Sequence, residues 1–225
     1  MPGGMPAPAD DPPSPTTRQP ARIFVVAGVN GAGKSSIAGA AFLQRNLPYF
    51  NPDLAARSLL QANPALGISQ ANGHAWEAGR RGLERALREG GNFAFETTLG
   101  ANTIPDMLVA GARAGARIHV WYAGLESPEL HLRRVRSRVA AGGHDIPEHK
   151  IRERYTSSRA NLVRLLPHLA SLRLYDNSAE SDPKAGKPPQ PILLLHLQVG
   201  KVVSQVPLSQ VPQWAKPIFA AALRP

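Results

Sequence analysis

The residues Gly28-Val29-Asn30-Gly31-Ala32-Gly33-Lys34-Ser35 match the pattern G-x-x-x-x-G-K-[ST] at every fixed position. The residue types explain the pattern. Glycines let the backbone curl so that successive N–H groups face a polyphosphate. The helix start that follows adds its partial positive charge. Lys34 can reach the β- and γ-phosphates, and the Ser35 hydroxyl can ligate Mg²⁺. Gly28, Asn30, Gly31, Ala32, Gly33, Lys34, Ser35 and Ser36 are the expected contacts to ATP or GTP, with Ser35 as the metal ligand. The motif specifies nucleotide binding. It does not separate kinases from GTPases, motor ATPases or nucleases.

Phosphoryl transfer to an acceptor needs more: a base near the acceptor hydroxyl, groups that hold the acceptor, and cations over the moving phosphoryl group. Three segments could supply them. Asn51-Pro52-Asp53 follows a short strand, and ligands of doubly wound sheets sit beyond the carboxyl ends of strands. Asp53 could accept the acceptor's proton, or simply cap a helix starting at Leu54. Phe95-Glu96-Thr97-Thr98 ends an apolar strand at the same sheet edge. A Glu there is unusual without a partner. Glu96, Thr97 and Thr98 could orient the acceptor, or form a strand-end cap and turn. The third segment carries Arg133, Arg134, Arg136 and Arg138, then Gly142-Gly143-His144, then Lys150, Arg152 and Arg154. Two arginine-bearing helices around a glycine hinge suit a lid over phosphates. Arg138 and Arg152 sit closest to the hinge on either side and are the chosen catalytic cations. His144 reads as a loop hydrogen-bond partner.

These segments need a scaffold. Arg22 to Ala27 is a buried strand, and Lys34 to Arg45 a helix. Leu47 to Asn51 is a short strand, residues 52–73 are irregular with some helix in Leu54–Gln61, and residues 74–89 are an amphipathic helix. Strands follow at Asn92–Glu96, Arg117–Ala123 and Leu172–Asp176, with helices at Thr103–Ala114, Pro128–Ala140 and Pro147–Leu166. Ile192 to Val206 alternates around Gly200-Lys201 as a hairpin. Strands alternating with helices predict an α/β three-layer sandwich with a parallel sheet. The expected division is a disordered leader at 1–20, a core at 21–178 with a lid near 141–155, a loop at 179–191, and a hairpin extension at 192–225.

Of the 225 residues, 43% are apolar, enough for a core. There is no cysteine, which fits a cytoplasmic protein and excludes thiolate metal sites. Residues 1–20 have no apolar signal region, and no stretch is long and apolar enough to span a membrane. The net charge of +10 fits either a solvated arginine-rich surface or attraction to polyanions. Aromatic residues are 6% of the chain and form no stacking platform beside the basic segment, which argues against nucleic acid as the partner.

Taken in order, these segments resemble the zeta-toxin family of P-loop kinases. The resemblance runs from about Arg22 to Asn177. It rests on GVNGAGKSS, the NPD step, the FETTL box at Phe95–Leu99, RVAAGGHDIPEHKIRERY at Arg138–Tyr155, and LYDNS at Leu174–Ser178. It implies an adenylate-kinase-like core and a small-molecule acceptor, UDP-N-acetylglucosamine, phosphorylated on its amino sugar. It further implies Asp53 as base, Glu96 and Thr98 on the acceptor, and Arg138 and Arg152 on the transferring phosphate, with Arg154 as the alternative. An antitoxin protein is the implied partner. The chain departs from the family where an acidic acceptor contact is expected in the helix before the FETTL strand. Arg80 stands there, with Glu77 and Glu84 out of register, so Arg80 could bind an anionic part of a different acceptor. The other readings are a kinase of nucleotides or nucleic-acid ends, and a nucleotide-dependent interaction protein without transfer chemistry.

Overall fold

A computed structural model describes residues 19–37, 49–143, 145–179 and 190–224. The leader through residue 18, the predicted helix beyond residue 37, His144 and most of the 179–191 loop lie outside the described residues. The strands are β1 (Arg22–Ala27), β2 (Tyr49–Phe50), β3 (Asn92–Thr97), β4 (Arg117–Gly124), β5 (Ser171–Asp176), β6 (Ile192–Gln198) and β7 (Lys201–Gln205). They form one sheet in the order β2-β3-β1-β4-β5-β6-β7. The first five are parallel, and β6 and β7 extend the sheet antiparallel.

Alternation along the strands builds two cores. Ile23 and Val25 point to one face with Val120, Tyr122, Leu172 and Leu174. Phe24 and Val26 point to the other with Ala94, Trp121 and Ala123. Helices α1 (Pro52–Ala62), α2 (Ile68–Glu89), α3 (Thr103–Arg113), α4 (Pro128–Ala140), α5 (Glu148–Leu165) and α6 (Lys216–Ala222) complete the architecture. Leu83 of α2, Leu108 of α3, Leu162 of α5 and Phe219 of α6 join the first core, and Leu130 of α4 joins the second. A mostly parallel sheet buried on both faces is the expected three-layer P-loop kinase arrangement.

Local chemistry sets the boundaries. Asn51, not Asp53, caps α1: its Oδ1 accepts from the Asp53 and Leu54 N–H groups at 2.9 and 3.2 Å, and Pro52 takes the first helical position. Asp53 is thereby freed from the capping role and placed in the first turn. Residues 68–73 are helical rather than irregular, because Gln70 turns back to accept from the Gly67 N–H at 3.2 Å and starts α2 early. The β6–β7 hairpin turns at Val199-Gly200, with φ of 47° and 73°, a pair of left-handed residues that matches the twist of the flanking strands. After the hairpin the chain folds back as α6 against α5.

Candidate active site

The phosphate loop leaves β1 through Gly28, whose φ is 142° and whose missing Cβ would lie 2.3 Å from the Ala123 carbonyl oxygen. Its other end is equally constrained: Gly33 has φ of 81°, and a Cβ there would meet Asn177 Nδ2 at 2.3 Å. No other residue type fits either place. Asn177, buried at the end of β5, donates from that nitrogen to the Ala32 carbonyl at 2.9 Å. At the loop's crest, Asn30 is held twice. His131 of α4 bonds the Asn30 carbonyl at 2.8 Å through Nδ1. A carbonyl only accepts, so Nδ1 carries the proton. Burial lowers the His131 pKa to about 4 against the opposing bond to Asn30, so the ring is neutral at physiological pH. Arg154 of α5 reaches the Asn30 side chain, Nη1 to Oδ1 at 2.8 Å.

Lys34 and Ser35 open the helix that follows. The Lys34 ammonium is buried, 3.4 Å from the Val29 carbonyl and 3.4 Å from Glu96 Oε1. Glu96 stands at the carboxyl end of β3. Its Oε2 accepts from the Tyr49 hydroxyl at 2.9 Å and from Asn51 Nδ2 at 3.1 Å. Burial, and then the Glu96 charge, push the Tyr49 pKa up, which keeps that hydroxyl a donor. Asn51 therefore does two jobs: one end of its amide holds Glu96, and the other starts the helix that carries Asp53. The Asp53 carboxylate is half exposed and meets Arg138 near the end of α4, Nη1 to Oδ2 at 3.7 Å.

Thr97 and Thr98 shape the turn after β3. Their hydroxyls accept from the Leu99 and Gly100 N–H groups at 3.1 and 3.3 Å. Leu99 has φ of 52°, an uncommon conformation for a branched side chain. α5 holds it there: Asn161 donates to the Leu99 carbonyl at 2.8 Å, and Ser157 donates to that of Gly100 at 2.8 Å. These parts surround a cleft of about 370 Å³, to which Asn30, Asp53, Trp76, Glu96, Thr98 and Arg154 all contribute.

Three arginines singled out in the sequence have different surroundings. Arg152 is clamped by Glu129 and Glu148 at 2.8 and 2.9 Å and is not part of the cleft wall. Arg154, two residues on, is part of that wall and touches the phosphate loop; burial lowers its pKa while Glu153 and Asp53 oppose the shift. Arg80 borders the cleft, but its guanidinium is bound by Glu77 at 2.8 Å through two nitrogens and by Glu84 at 3.2 Å. Tyr49, His131 and Trp76 carried no signal in the sequence, since none lies in a recognisable phosphate or acceptor motif. Asn177 was visible only as part of LYDNS.

The sequence model for zeta toxin matches residues 7–180. The chain belongs to the zeta toxin family. An uncharacterized Haemophilus influenzae protein is 29% identical over 133 residues, which is 57% of this chain and 88% of that one. A chain of the AvrRxo1-ORF1:-ORF2 complex crystallised with ATP superposes with a TM-score of 0.59 at 16% identity, covering 92% of this chain and 64% of that one. The chain thus spans under two thirds of that protein. A chain of the PezAT toxin–antitoxin system of Streptococcus pneumoniae gives a TM-score of 0.53 at 18% identity, covering 77% of this zeta toxin family member and 75% of that chain. At these identities the likeness is one of fold. Among the described residues, no helix is long and apolar enough to cross a membrane.

Proposed function

We propose that the protein is a kinase that transfers the γ-phosphate of ATP or GTP to a hydroxyl of a small acceptor. The observation that carries this reading is the shared cleft: the phosphate loop at Asn30 and the Asp53 carboxylate border one cavity. A nucleotide-binding protein without transfer chemistry needs the first and not the second.

The loop suits a polyphosphate, since its glycine positions admit no Cβ and a buried ammonium stands at its helix start. Among the described residues no cluster of three His, Asp or Glu side chains could hold a metal. A magnesium ion would therefore rest on the Ser35 hydroxyl and phosphate oxygens, where it would neutralise phosphate charge. Lys34 is drawn between Glu96 and the loop and supplies positive charge beside the phosphates. Asp53 is exposed and can take a proton from an acceptor hydroxyl in the cleft. Arg154 braces the loop at Asn30, and Arg138 holds Asp53 from the hinge side. Glu96, Thr97 and Thr98 line the acceptor end.

UDP-N-acetylglucosamine is the acceptor we favour, on family membership. Arg80 lines the cleft with its guanidinium already paired to Glu77 and Glu84, so an anionic group of the acceptor would reach it only by displacing those carboxylates. An inhibitory antitoxin partner belongs to the same proposal. The test is transfer of ³²P from labelled ATP and GTP over a panel of nucleotide sugars, nucleotides and oligonucleotide ends. Labelling of the nucleotide sugar is expected. A wild-type protein that binds ATP yet labels nothing would end the kinase reading. Asp53→Asn should slow transfer by about 10²–10⁴-fold, and an unchanged rate would remove Asp53 from the role of base.

A further inference from the structure

The opposite end of the sheet carries a second concave surface, of about 430 Å³, that the transfer chemistry does not use. It is built on side chains that alternate to one face of adjacent strands. Arg22 of β1 stands beside Arg117 of β4, and Phe24 beside His119. One strand further, Trp121 stands beside Arg173 of β5, and Arg173 beside His196 of β6. The groove thus gathers three guanidiniums and two imidazoles, and no carboxylate lines it among the described residues. None of the three arginines has a carboxylate partner among the described ion pairs.

The aromatic rings organise this charge. The Arg22 guanidinium lies 5.8 Å from the Phe24 ring centre, and that of Arg173 lies 5.6 Å from Trp121. Stacking on a ring limits the freedom of each fork and leaves its N–H groups available. Phe24 and Trp121 are themselves buried, 6% and 4% exposed, so they offer no platform to bases. What the groove presents is recognition of phosphate by fixed cations, in a volume typical of small-ligand sites.

We propose that this groove binds a small, multiply phosphorylated metabolite at a site separate from the cleft. The two sites lie at opposite ends of β1, whose six residues from Arg22 to Ala27 span about 17 Å. The ligand is expected to be an effector rather than a reactant, because the phosphate loop and the Asp53 carboxylate stand at the other end of the sheet.

The test is calorimetric titration of the full chain with inorganic pyrophosphate in a Lys34→Met background, which weakens binding at the phosphate loop. One remaining site is expected. Adding Arg117→Glu, at the exposed start of β4, should weaken it by about tenfold or more and leave acceptor phosphorylation by an otherwise wild-type chain unchanged. Arg173 is spared because it covers Trp121. Arg22→Gln with Arg117→Gln is the milder variant should charge reversal unfold the protein. Absence of binding to the folded Lys34→Met protein, or equal affinity in the folded arginine variants, would overturn the proposal. Tighter binding of a single-stranded RNA oligonucleotide than of pyrophosphate, lost with the same arginines, would also overturn it in favour of nucleic acid.

Discussion

The phosphate loop and the acceptor wall face each other across one cleft, yet they hold their shapes by different means. The loop is shaped by backbone. Its ends are glycines with no room for a Cβ, and two of its carbonyls are held by neutral donors, that of Ala32 by Asn177 and that of Asn30 by His131, with Arg154 adding one charged bond to the Asn30 side chain. The wall is shaped by charge. Lys34 meets Glu96, Asp53 meets Arg138, and Arg80 meets Glu77 and Glu84. A shape set by sterics and neutral hydrogen bonds responds little to salt, whereas the exposed Asp53–Arg138 pair of the wall is screened and the buried Lys34–Glu96 pair much less so. The loop can therefore stay formed while the wall adjusts to an acceptor. Lys34 belongs to both, and substitution there should have the largest effect.

Lys34→Met is expected to lower kcat/KM by about 10³-fold, the scale of losing a preorganised electrostatic group. It also leaves Glu96 buried without its cation. Removing one partner of a buried pair destabilises by about 3–5 kcal/mol, so denaturant unfolding should shift with activity. Pairing Lys34→Met with Glu96→Gln separates the two roles. The double variant should regain most of the stability and none of the activity. If Lys34→Met is as stable as wild type, the buried pair does not organise the wall.

His131 probes the loop alone. Its ring titrates near 4 in the folded protein against 6.5 for an ordinary histidine. The unfolded chain therefore binds more protons between those values. The contribution is full above about pH 6.5, falls as the pH drops towards 4, and levels off below, a loss of roughly 3 kcal/mol. Urea titrations from pH 4 to 7 should show this slope in wild type. In His131→Gln, where an amide can still donate to the Asn30 carbonyl, it should be reduced. Equal slopes in the two proteins would show that the histidine is not held neutral beneath the loop.

The same contrast explains what the sequence disclosed. The loop was legible because its requirements are local: glycine where φ is positive, lysine and serine at the helix start, a strand before and a helix after. The parallel character of the sheet followed from the alternation of apolar runs with helices, whereas the strand order did not. The wall was less legible because its partners are far apart in the chain. Tyr49 and Glu96 are separated by 47 positions, and Asn51 and Glu96 by 45; the loop's own outside brace, His131, was hidden in the same way, 101 positions from the carbonyl it holds. No periodicity announces such pairs. Asn51 shows the limit from the other side. The NPD step was visible, but not that Asn51 both caps the helix and bonds Glu96, 45 positions away. The final helix was also missed, since KPIFAAA is short and its apolar face has meaning only against α5.

The finest comparison lies within one helix. Arg152 and Arg154 stand two residues apart, and a two-residue step turns a side chain by about 200° around an α-helix. The two guanidiniums are therefore sent to different surroundings: one to Glu129 and Glu148, the other to Asn30. Proximity to the glycine hinge favoured Arg152 in the sequence, but helical phase favours Arg154. Arg154→Ala should raise the KM for nucleotide and lower kcat/KM by about tenfold, because loss of one charge-assisted bond of about 1.5 kcal/mol corresponds to that factor. Arg152→Ala should stay within about twofold of wild type, since a clamp between exposed carboxylates adds little at the cleft. Steady-state kinetics on both variants decide the matter. An inert Arg154→Ala beside a crippled Arg152→Ala would mean that the lid rotates α5 during turnover and brings the other arginine to the phosphates.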